Sequence, residues 1–172
     1  RREHMCTSNL EYLINGNHQA ILNVEKGKIN HSFLGDVLLA AKKEAEFIKS
    51  KVTNNDNGSA ICRAMKYSFA DIGDIIRGRD LWEHGDQTKL QGHLQIIFGK
   101  IKENLDDTIK DKYASEDKPY TQLRKDWWEA NRKQIWEAMQ CPKNGVHITC
   151  DSGVPVDDYI PQRLRWMTEW AE

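Results

Sequence analysis

The stretch Ile61–Gly78, ICRAMKYSFADIGDIIRG, decides the fold class. Ile61, Met65, Phe69, Ile72 and Ile76 recur at three- and four-residue steps, which lays apolar side chains along one face of an α-helix. Nothing alternates as a half-buried strand does, and Gly78 supplies a left-handed stop after Arg77. The pattern repeats on both sides. Upstream, FLGDVLLAAKKEAEFIKSKV sets Phe33, Leu34, Val37, Leu38, Ala41, Ala45, Ile48 and Val52 against a solvated face of Lys42, Lys43, Glu44, Glu46 and Lys49. Ser32 is the expected N-cap of that helix, and residues 54–59, NNDNGS, read as the polar loop that follows. Downstream, Leu90, Leu94, Ile97, Phe98, Ile101 and Leu105 predict a third helix. Leu123, Trp127, Ile135, Trp136 and Met139 predict a long fourth, ending near Cys141 and Pro142. A last helix follows Pro161, with Leu164, Trp166, Met167 and Trp170 as its apolar set. The expected architecture is all-α, a helical bundle with disulfide-tied polar loops and an irregular N-terminal arm up to about residue 31.

Composition narrows the function classes. The 172 residues carry 25 Lys and Arg against 26 Asp and Glu, a net charge of −1, which argues against a general nucleic-acid binder. No apolar run is long enough to span a bilayer, so no membrane contact by this segment is expected, and Arg1-Arg2-Glu3-His4 does not read as a signal peptide. Cys6, Cys62, Cys141 and Cys150 allow three disulfide connectivities, and no CxxC suggests zinc or redox chemistry. Cys141 and Cys150 bracket CPKNGVHITC, whose Pro142, Asn144 and Gly145 suit a tight loop. A Cys141–Cys150 bridge there would leave Cys6 to pair with Cys62. The even cysteine count, with sequons at Asn30 and Asn57, fits an oxidising, extracellular setting.

Catalytic motifs are sparse. There is no GxSxG, HExxH, P-loop or GxGxxG, and the six histidines are scattered. Asp106, Asp107 and Asp111 have a DDxxxD spacing that could hold magnesium and a diphosphate, with Asp71 and Asp74 as a second acidic cluster. Such patterns are cheap on solvated helices, and surface pairing with Lys110, Lys112, Arg77 or Arg79 is the blander reading. Trp127 and Trp128 cannot face the same way on one helix, so one should anchor the core while the other packs on a different helix or a partner. Trp136, Trp166 and Trp170 are expected in the core, and all six tryptophans read as anchors of the bundle. Basic residues cluster locally at Arg77 and Arg79, Lys100 and Lys102, Arg124 and Lys125, Arg132 and Lys133, and Arg163 and Arg165, the first eight making up the candidate glycan- or receptor-binding face. Stripes of this kind bind sulfate or carboxylate groups of polysaccharides through charge-assisted hydrogen bonds.

Five ordered blocks carry a family resemblance. FLGDVLLAAKKEAEFIK from Phe33, ICRAMKYSFADIGDIIRGRDLW from Ile61 and KLQGHLQIIFGKI from Lys89 come first, after an opening RREHMC. YTQLRKDWWEANRKQIWEAMQC from Tyr120 and DDYIPQRLRWMTEWAE from Asp157 complete them. The chain resembles the Duffy-binding-like domains, of the α class, in the variant erythrocyte membrane protein family of malaria parasites. The resemblance implies a non-enzymatic adhesion module on the infected erythrocyte surface, mediating cytoadhesion or rosetting, with no metal or cofactor. Implied partners are host glycosaminoglycans such as heparan sulfate, blood-group sugars or receptor proteins, together with antibodies and a neighbouring cysteine-rich interdomain region of the parent chain. It also implies a division into residues 1–31, the end of subdomain 1, and residues 32–172, a subdomain 2 cut before subdomain 3. The alternatives are a scaffold segment with receptor binding elsewhere and, more distantly, the magnesium–diphosphate enzyme.

Overall fold

A computed structural model describes residues 27–51, 58–82, 85–115, 118–140, 150 and 153–171. Residues 1–26 of the expected irregular arm, Cys6, Cys141 and the 141–149 loop therefore lie outside the described residues, while the last part of that arm, from Ile29, is helical. Helix α1 runs Ile29–Lys51, α2 Ser59–Arg77, α3 Gly85–Glu103, α4 Asp107–Lys110, α5 Thr121–Gln140 and α6 Gln162–Ala171. Short 3-10 turns at Asp111–Tyr113 and Asp157–Tyr159 precede α5 and α6 respectively. No strand occurs among the described residues. The all-α expectation holds.

The core is shared by α1, α2, α3 and α5. Adjacent tryptophans on α5 divide between two aromatic clusters, as their angular separation requires. Trp127 meets Phe33 of α1 at 4.8 Å and Phe98 of α3 at 6.0 Å between ring centroids. Trp128 turns toward α2, 5.1 Å from Phe69, which also meets Trp136 at 5.4 Å. Close approach of α2 and α5 depends on Gly73, because a Cβ there would stand 2.7 Å from the Trp128 ring. Gly78 ends α2 as expected. Its φ is 72°, and the Gly78 and Arg79 amides donate to the carbonyls of Ile75 and Asp74.

Several local expectations need correcting. Ser32 is not an N-cap, since α1 starts at Ile29 and the Ser32 amide already donates to the Lys28 carbonyl at 3.0 Å. Tertiary packing supplies the extra turn: Ile29 is buried, and Asn30 Oδ1 accepts the Trp127 indole N–H at 2.6 Å. Glu44, assigned to the solvated face, is buried and accepts the Ser68 hydroxyl at 2.9 Å. The last helix is inverted relative to its pattern. Gln162 and Arg165 point inward, while Leu164, Met167 and Trp170 are exposed, Trp170 at 92%. Trp82 is also partly exposed, so the tryptophans do not all anchor the bundle.

Cys62 is bonded to Cys150, which rules out both Cys141–Cys150 and Cys6–Cys62. Proximity in sequence misled here. The Asp157–Tyr159 turn packs on α2, and two cysteines 88 residues apart stand at a Cα separation of 5.3 Å, within bridging reach.

Candidate functional site

The C-terminal half of α2 is buried throughout from Ser68 to Arg77, and that includes Asp71, Asp74 and Arg77. Charges so placed must find partners, because an unpaired ion in a protein interior is costly. The partners arrive from α5, the Asp157–Tyr159 turn and α6. Arg165, 2% exposed, donates from one Nη to Asp71 and Asp74 at 2.7 Å each. Burial works against its charge, but the two carboxylates outweigh it and raise the guanidinium pKa. Asp158 is fully buried and accepts the Trp128 indole N–H at 2.7 Å and Arg132 at 2.6 and 3.0 Å. Arg77 donates to the Asp158 carbonyl at 2.7 Å and to Asp74 at 3.2 Å. Burial, followed by neighbouring Arg79, lowers the Arg77 pKa.

Arg124, 1% exposed, has a different task. It donates to the Ile76 and Ile75 carbonyls at 2.6 and 3.0 Å and to Gln91 at 2.6 Å, closing the C-terminal carbonyls of α2 that lack helical partners. No carboxylate among the described residues compensates it, and burial lowers its pKa to about 10.

The eight basic residues singled out by spacing thus do not form one face. Arg77 and Arg124 are interior, and Arg132 is held by Asp158 and the Pro155 carbonyl with 14% of its side chain exposed. Buried donors bonded to protein acceptors offer nothing to a ligand at the surface. Arg79 is half exposed while bonded to Asp74 at 3.1 Å. Lys100 and Lys102 are half-buried, with Lys102 over the Tyr120 ring at 5.8 Å. Lys125 and Lys133 are exposed on α5, Lys133 lying 3.9 Å from Glu137.

The two acidic clusters fare similarly. Asp71 and Asp74 are bonded to Arg165, so they face no diphosphate cavity, and neither is a surface carboxylate. Asp106, Asp107 and Asp111 are exposed, and no group of three potential metal-ligating side chains occurs among the described residues. Arg165, grouped by sequence with Arg163 as a local basic pair, is instead interior, and Gln162 carries no signal of its own among residues with a stronger apolar pattern. What could have marked the network is ADIGDIIR itself, whose charges stand at three-residue steps within an apolar run.

A family model described as the Duffy binding domain matches residues 1–165. The Duffy receptor beta form of Plasmodium knowlesi is 30% identical over 186 residues, covering 99% of this chain and 14% of the receptor. The Duffy receptor of Plasmodium vivax is 27% identical over 179 residues, covering 99% and 15%. Among solved structures, a DBLβ domain of a PfEMP1 protein bound to human ICAM-1 is 60% identical with a TM-score of 0.90, covering 99% of this chain and 39% of that one. A second PfEMP1 DBLβ domain bound to ICAM-1 is 56% identical with a TM-score of 0.84, covering 100% and 43%. The DBL1(alpha-1) domain of Plasmodium falciparum membrane protein 1 is 35% identical with a TM-score of 0.78, covering 99% and 42%. Identity is therefore higher to these two DBLβ domains than to the DBL1α domain, contrary to the α class expected from the motifs. Two of these solved domains carry bound ICAM-1, and with Asp71 and Asp74 committed to Arg165 the magnesium–diphosphate reading has no support. With its family model spanning residues 1–165 and its relatives aligned along almost the whole of it, this chain belongs to the Duffy binding domain family.

Proposed function

We propose that this chain is the helical core of a host-receptor-binding adhesion domain of DBLβ character, exposed on the infected erythrocyte, whose partner is a cell-surface protein of the ICAM-1 type. The observation that carries the reading is the identity of 60% and 56%, over 99% and 100% of the chain, to two DBLβ domains solved with ICAM-1 bound. The chain spans 39% and 43% of those solved chains, so a receptor contact can fall within it or beyond it. The division into the end of subdomain 1 and a truncated subdomain 2 belongs to the same proposal, with the helical part taken from Ile29, where α1 begins. So do contacts with an interdomain region, antibodies, sulfated glycans or blood-group sugars. For sulfated glycans the supporting cations are the exposed Lys125 and Lys133, with the half-exposed Arg79; Lys100 and Lys102 are half-buried.

A scaffold role for this segment is the second reading. Its support is the commitment of Arg77, Arg124, Arg132 and Arg165 to internal acceptors, the pattern of a rigid support rather than a cationic binding face. Surface plasmon resonance on the ICAM-1 ectodomain separates the two, run on the full chain and on a natural longer DBL domain containing it. Binding by both supports a contact within this chain. Binding by the longer domain alone moves the contact elsewhere and leaves the scaffold. Absence of binding by both overturns the ICAM-1 reading.

A further inference from the structure

We draw no further inference here: the strongest candidate, the outward-facing apolar side of α6 at Leu164, Met167 and Trp170, is an exposed helix face, and nothing in the structure shows what covers it.

Discussion

Replacing Asp158 by Ala removes the acceptor on which the turn before α6 depends. Its carboxylate takes hydrogen bonds from Trp128 Nε1 at 2.7 Å and from Arg132 at 2.6 and 3.0 Å, with Arg77 Nη1 at 4.0 Å. Deleting one partner of a buried ion pair costs about 3–5 kcal/mol, because the remaining charge stays buried without compensation. An orphaned indole N–H adds about 1–3 kcal/mol where nothing relaxes. Arg132 retains the Pro155 carbonyl and some solvent access, so the two costs do not sum in full. The expected loss is about 4 kcal/mol, a large part of the ~5–15 kcal/mol that stabilises a typical domain. For a chain of this length that corresponds to a Tm lowered by roughly 8–16 °C. Asp158→Asn keeps the shape and one acceptor and should lose about half as much. Adding Arg132→Met to Asp158→Ala should recover about 1 kcal/mol or more, since the uncompensated cation goes with it. Urea unfolding followed by far-UV circular dichroism reads all three. A loss below about 1 kcal/mol for Asp158→Ala at unchanged m-value would refute the claim that this carboxylate organises the interior.

The disulfide, Gly73 and the Asp126 cluster give further tests. Cys62→Ser or Cys150→Ser opens a loop spanning 88 positions and should cost about 4.6 kcal/mol by loop entropy; non-reducing peptide mapping should recover Cys62 linked to Cys150, and any other partner for Cys62 contradicts the structure. Gly73→Ala gains helix propensity but drives a methyl to 2.7 Å from Trp128, so a net loss of about 1–3 kcal/mol is expected where a strain-free site would gain. Asp126 accepts Lys112 at 2.6 Å and Tyr113 and Gln122 at 2.7 Å each. Burial opposes ionisation of this carboxyl, but the bonds from Lys112, Tyr113 and Gln122 outweigh it and hold its pKa below the usual value. Its contribution is therefore complete above the unfolded carboxylate pKa, ~3.9, and is lost as pH falls through the lower folded value. The Asp126 bond raises the Lys112 pKa, so that contribution is complete below ~10.4 and fades as pH rises through the folded value. The stability difference between the natural chain and Asp126→Asn should be flat from about pH 5 to 9 and shrink at both extremes; a slope near neutrality would contradict this.

Periodicity carried the fold class, four helices and the divergent roles of Trp127 and Trp128, because those features follow from one rule, that apolar side chains point inward. The failures come from places where that rule is outweighed. On α6 the rule favours burying Leu164, Met167 and Trp170. The carboxylates Asp71 and Asp74 on α2 instead draw Arg165 inward, and the apolar side of the helix turns out. At the start of α1, propensity and capping favour Ser32, whereas burial of Ile29 and the bond from Trp127 to Asn30 add a turn. The Cys62–Cys150 bridge was invisible for a related reason. Its geometry depends on docking the Asp157–Tyr159 turn onto α2, an event set by side chains far apart in sequence.

The basic stripes do not make one face, because Arg and Lys differ in how they tolerate burial. A guanidinium is planar, is weakly hydrated for a cation and can serve several acceptors at once, whereas an ammonium keeps a compact hydration shell. The chain separates them along that line. The interior cations are Arg77, Arg124 and Arg165, with Arg132 mostly buried, and each serves two or more acceptors. Lys125 and Lys133 on α5, next in sequence to Arg124 and Arg132, remain at the surface. Neighbouring positions of like charge on one helix thus have opposite fates, fixed by headgroup chemistry as much as by helical angle. The net charge of −1 consequently conceals an interior where Asp71, Asp74 and Asp158 neutralise arginines and a surface whose cations include exposed lysines. Salt-dependent association with an anionic partner must draw on that surface set, because Debye screening acts strongly on exposed charges and weakly on buried pairs.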